Sequence, residues 1–134
     1  MAIMASPRVL SIGQCGFDSA SLERLFEQDF SAEVESIDTA RDALNAMQSR
    51  KFDLVLVNRR LDMDGSSGIA LLEKLHTQAP DVPMMLISDK PDAQDEAVAK
   101  GALPGFGKSA LRNPETVQRI REALSNAASE GSGR

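Results

Sequence analysis

The stretch "FDLVLVNRRLDMDG" (52–65) ends an apolar run on Asn58 and continues into an acidic loop with Asp62 and Asp64. A carboxylate at the end of a buried strand can serve as nucleophile, general base or metal ligand. An amide is poorly suited to all three, because it is neutral and its nitrogen lone pair is delocalised into the carbonyl. Few other side chains offer chemistry. Cys15 is the only cysteine and His76 the only histidine, which excludes an intramolecular disulfide and argues against a Cys-based zinc site and most catalytic triads. Lys108 is the one candidate general base or nucleophile. "GQCG" (13–16) before a helical pattern could be an anion-binding turn, but the phosphate-binding G-x-G-x-x-G spacing is absent.

The elements that must position these residues alternate along the chain. Strand patterns lie at 8–13, 32–38, 53–58, 82–88 and 102–107, the last an edge strand on account of Pro104. Helical patterns lie at 18–30, 39–49, 67–78, 91–101 and 113–128. Asp18 or Ser19 caps the first, Thr39 with Asp42 the second, and Asn113 followed by Pro114 the fifth. The inward faces are Leu22, Leu25 and Phe26; Ala43, Leu44 and Met47; Ile69, Leu72 and Leu75; and Val117, Ile120 and Leu124.

This order predicts an α/β fold, a doubly wound flavodoxin-like parallel sheet of five strands in the order 2-1-3-4-5 with helices on both faces. One domain is expected over 7–126, between a flexible start (1–6) and a tail or linker start (127–134). Ligands of such sheets bind beyond the carboxyl ends of the strands, at the switch between strands 1 and 3. That rule selects Gly13, Gln14 and Cys15 from strand 1, Asn58 from strand 3, Ser88 from strand 4 and Lys108 from strand 5.

With "RVLSIGQC", "FDLVLVNRRLDMDG", "VPMMLISD" and "GALPGFGKSAL" in these places, the chain resembles the receiver domain of bacterial response regulators (the CheY-like fold) over about 7–126. The resemblance implies an acidic pair after strand 1 that holds Mg²⁺, a phosphoacceptor aspartate after strand 3, a Ser or Thr after strand 4 and a lysine after strand 5. Carried over, the acidic pair falls on Gly13 and Gln14, and the acceptor falls on Asn58. Ser88 and Lys108 match the family. Gly105 stands where an aromatic switch residue is usual, with Phe106 next to it, and Ser109 replaces the usual proline. The expectation is a pseudo-receiver with no catalytic residues, no cofactor and no Mg²⁺ site.

Lys108 is then expected to pair with Asp62 or Asp64. Asn58 either mimics a resting state or merely bonds Lys108 or Ser88, and Ser88 either caps the next segment or switches. The net charge of −5 and the lack of Trp and Tyr argue against nucleic-acid binding, and no apolar run is long enough for a membrane span. The expected setting is cytoplasmic. The expected function is phosphorylation-independent contact with protein partners of a signalling pathway, or homodimerisation, through the face of helix 4, strand 5 and helix 5, where Gly105 and Phe106 lie. The alternative is a small-molecule sensor that reuses the emptied pocket through Gln14, Asn58 and Lys108.

Overall fold

The computed structural model describes residues 6–132, with side chains described as far as residue 125. In chain order the elements are β1 (Arg8–Ile12), α1 (Gly16–Phe30), β2 (Glu33–Ile37), α2 (Ala40–Ser49), β3 (Leu54–Asn58) and α3 (Gly68–Gln78). They continue with β4 (Met84–Ile87), α4 (Pro91–Ala99), β5 (Leu103–Phe106), one 3₁₀ turn (Lys108–Ala110) and α5 (Pro114–Ser132). All strand pairs are parallel and the order is β2-β1-β3-β4-β5, as expected. Helix α5 continues past the boundary placed at 126. Most of the expected flexible start (1–5) and the end of the expected tail (133–134) lie outside the described residues.

The strands alternate their side chains between two cores, as a period of two requires. Leu10, Ile12, Val55, Val57, Met84 and Leu86 pack under α2, α3 and α4, while Val9, Leu54, Leu56, Met85, Ile87 and Phe106 pack under α1 and α5. Burying each such side chain contributes roughly 1.5–3 kcal/mol. Both faces are covered, so β3 reads as a continuous apolar run until Asn58. The helix starts follow from local chemistry. The Thr39 hydroxyl accepts the Asp42 N–H at 3.2 Å, and the Ser67 hydroxyl accepts the Ala70 N–H at 3.2 Å.

Three local expectations are corrected. Helix α1 starts earlier than its Asp18 or Ser19 cap implied, with Cys15 at the cap position and no side-chain capping bond. On α2 the fully buried pair is Ala43 and Ala46, with Leu44 and Met47 only partly covered. On α5 Thr116 is buried, Val117 is half-buried, and Ala123 joins Ile120 and Leu124 in the core.

The β4–β5 register slips: Met85 pairs with Leu103 but Ile87 pairs with Phe106. One extra residue is therefore accommodated in β5, where Pro104 has no N–H to give the ladder. This irregularity sits beside the site.

Candidate functional site

Strand β1 delivers its end through Gly13, whose φ of 78° is a left-handed conformation open to glycine. A side chain there would also collide with Leu61. The turn exposes the Gly13 carbonyl oxygen to two donors, the Asp62 N–H at 2.9 Å and Asn58 Nδ2 at 3.1 Å. Asn58 Nδ2 also donates to the Arg60 carbonyl at 2.7 Å. Both amide hydrogens of Asn58 are thus spent on backbone oxygens. The bonds expected from Asn58 to Lys108 or Ser88 are replaced by these, because the amide nitrogen turns toward two backbone carbonyl oxygens within its reach.

Gln14 does not open into a pocket. It is buried, its Nε2 donates to the Ile12 carbonyl at 3.4 Å, and its Oε1 has no partner among the described residues. Lys108 does not reach Asp62 or Asp64 either. Its Nζ lies 2.6 Å from Asp18 Oδ2, in the first turn of α1, and the Cys15 thiol donates to the same oxygen at 3.1 Å. The hydrogen bond from Lys108, reinforced by that from Cys15, holds the Asp18 carboxyl below its ordinary value of 3.8. Asp64 instead folds onto its own loop, where Oδ1 accepts the Ser66 N–H at 2.9 Å and the Ser66 bonds lower its pKa. Asp62 and Asp64 are both exposed.

Ser88 caps the segment that follows it, for its hydroxyl accepts the Lys90 N–H at 3.1 Å. Ser109, in place of the family's proline, donates to Asp89 Oδ1 at 2.6 Å. At the slip between β4 and β5, the Gln94 side chain fills the ladder. Its Nε2 donates to the carbonyls of Leu86 (2.9 Å) and Ser88 (3.1 Å), and its Oε1 accepts the Gly105 N–H at 3.0 Å. The Gly105 carbonyl accepts Arg119 Nη1 at 2.7 Å. Gly105 has no room for a side chain, since a Cβ would meet the Leu86 carbonyl. Phe106 is 4 % exposed and packs under α1 and α5. Phe106 also contributes to the lining of the groove between α4, β5 and α5.

The site thus brings Asn58, Ser88 and Lys108 to the rim of one cavity of about 290 Å³ and leaves Gln14 out of it. Sequence reasoning missed Asp18 as the lysine's partner, Gln94 as the strap, and the basic rim of Arg59, Arg60 and Lys90. Asp18 carried a signal: it is the first acid after a strand end that lacks acids, in the first turn of the helix that follows.

A model of the response regulator receiver domain matches residues 19–124. The chain belongs to that family. Solved structures agree on the fold. The signal receiver domain of an HD domain-containing protein from Pseudomonas fluorescens Pf-5 is 23% identical, covers 98% of this chain and 96% of its own, and has a TM-score of 0.81. A CheY-like receiver domain protein from Methanospirillum hungatei JF-1 is 21% identical, with 94% and 99% covered and a TM-score of 0.76. A response regulator from Burkholderia pseudomallei, solved with a phosphorylated aspartic acid, calcium ion and citrate, is 22% identical, with 96% and 72% covered and a TM-score of 0.70. No curated protein matches the chain.

In this receiver the residues at the metal positions do not fit a hard divalent cation. Such an ion is ordinarily held through one or two carboxylates. Gly13, Gln14 and Asn58 supply none, and the Gly13 oxygen already serves two donors. Among the described residues no group of three or more His, Cys, Asp and Glu could hold a metal ion, and no helix is long and apolar enough to cross a membrane.

Proposed function

We propose that this receiver does not accept a phosphoryl group and signals through phosphorylation-independent contact with a protein partner or a second copy of itself. The observation that carries the reading is Asn58: a neutral amide at the acceptor position, with both its N–H groups tied to Gly13 and Arg60. Phosphoryl transfer to a side chain needs an anionic oxygen there, and charge neutralisation by a cation. Acceptor and cation ligands are missing at separate positions, so restoring either alone leaves the other defect. The chain acts as a pseudo-receiver without catalysis, in a cytoplasmic signalling pathway of the two-component type.

The face of α4, β5 and α5 is the contact surface in this reading. Val98 and Leu103 are exposed there, beside a groove of about 660 Å³. The Gln94 strap and the Arg119–Gly105 bond keep that face in one arrangement, which suits a fixed signal better than a switch.

The test is to incubate the protein with acetyl phosphate and Mg²⁺, then measure its intact mass and melting temperature. The mass stays unchanged and Mg²⁺ gives no upward melting shift. A hydroxylamine-labile phosphoryl adduct would overturn the proposal, because it would mean that a substitute carboxylate accepts the group.

A further inference from the structure

We propose that the crevice at the carboxyl ends of β3 and β4 binds, non-covalently, a small phosphate monoester with a hydroxyl- or amine-bearing body. This goes beyond the signalling role and holds whether or not Asn58 accepts a phosphoryl group.

The first support is charge. The cavity of about 290 Å³ is rimmed by Arg59, Arg60, Lys90 and Lys108, in a chain whose net charge is −5. Asp18 pairs with Lys108, but among the described residues Arg59, Arg60 and Lys90 make no side-chain ion pair. Asp89 alone is acidic in that lining, and it accepts the Ser109 hydroxyl. Three cations without an ion pair, facing a single carboxylate in the lining of this cavity, favour an anion there, and arginine's fork matches phosphate oxygens in pairs. The Ser88 hydroxyl accepts the Lys90 N–H, so its own hydrogen is free to donate to the same anion.

The second support is rigidity. Arg59 and Arg60 follow β3 directly, and their backbone is tied down on several sides. Asn58 Nδ2 holds the Arg60 carbonyl, the Arg59 N–H donates to the Ile87 carbonyl at 3.3 Å, and Arg60 bridges to Ser67. Such a base costs a ligand less ordering than a free loop would. Asn58 thereby becomes a positioning residue for the basic rim.

The third support is space. A second cavity, of about 650 Å³, shares Arg59, Arg60 and Lys90 with the first. It offers Ile69, Pro91 and Ala93 as an apolar wall and the carboxylates of Asp92 and Glu96. A phosphate in the smaller cavity would place its organic body in the larger one, where the carboxylates accept hydrogen bonds from hydroxyl or ammonium groups. The combined site lies one strand over from the switch between β1 and β3, at the carboxyl ends of β3 and β4, and has the size of small-molecule sites.

The experiment is amide NMR titration of the full chain at low salt with glycerol phosphate, inorganic phosphate, glycerol and a glutamate-rich peptide. Glycerol phosphate should give saturable shifts at Arg59, Arg60, Lys90, Asp92 and Ala93, and glycerol none. The double variant Arg60→Gln with Lys90→Gln, both exposed positions, should keep its melting temperature and bind roughly tenfold more weakly. Absence of saturable shifts, or a variant that binds as well as the parent, overturns the site. Equal affinity for inorganic phosphate overturns the role given to the larger cavity. Tighter binding of the acidic peptide overturns the small-molecule reading in favour of an acidic protein segment.

Discussion

Asn58, at the end of β3, and Gln94, on α4, are both carboxamides that bond strand ends, and they are used in opposite ways. Asn58 spends only its nitrogen, on the carbonyls of Gly13 and Arg60, and stands at the rim of a basic cavity. Gln94 spends both ends, filling the gap between β4 and β5 where Gly105 leaves no side chain. One junction therefore stays available to an anion, whereas the other is closed by its own bonds. On the function proposed above, the contrast separates two features of one receiver: a pocket rimmed by an amide and cations, and a neighbouring face held by the bonds of Gln94.

The largest effect is expected where the contrast is sharpest, at the closed junction. Gln94→Ala removes three hydrogen bonds and leaves the Gly105 N–H and the carbonyl of the fully buried Leu86 short of a partner. A loss of about 3 kcal/mol follows, read by urea unfolding, with faster hydrogen exchange at Gly105. A loss below about 1 kcal/mol would mean that the strap is decorative, and the fixed face would lose its main support.

These two junctions also mark how far the sequence could be read. The sheet order and most buried positions were legible, because apolar runs and helical periods depend on neighbours only a few residues away. Leu22, Leu25 and Phe26 needed nothing else. The bonds of the site were not legible, because they join residues distant in the chain. Asn58 meets Gly13, Lys108 meets Asp18, and Gln94 on a polar helix face looks like any solvated glutamine. The slip in β5, which sets one extra residue between the pairs Met85–Leu103 and Ile87–Phe106, was hinted at only by Pro104.

The open junction breaks differently. Asn58→Asp would restore the family's acid, but it removes both N–H donors and aims a carboxylate at two carbonyl oxygens. The basic rim offsets part of the repulsion, so a net loss of about 1–2 kcal/mol is expected at neutral pH. Mg²⁺ should not reverse it, as Gly13 and Gln14 bring no second carboxylate. Thermal melts with and without Mg²⁺ check this. A variant more stable than the parent would show that the pocket still prefers an acid, and that the amide is no structural improvement.

The smallest effect belongs to the pair that ties α1 to the end of β5, Asp18 with Lys108. Both side chains keep partial exposure, 21% and 44%, so solvent screens their attraction and Asp18→Asn should cost no more than about 1 kcal/mol at neutral pH. Its pH dependence is the sharper test. Because the folded-state pKa of Asp18 is depressed, its stabilising contribution is fully present above the ordinary value of 3.8 and fades as pH falls below that value through the folded pKa. The stability gap between parent and variant should therefore close in acid and stay constant between mildly acidic and neutral pH. A gap that persists unchanged in acid would mean that Asp18 acts through packing and not through charge. Lys108 would then be free to join Arg59, Arg60 and Lys90 as a fourth cation for the anion site.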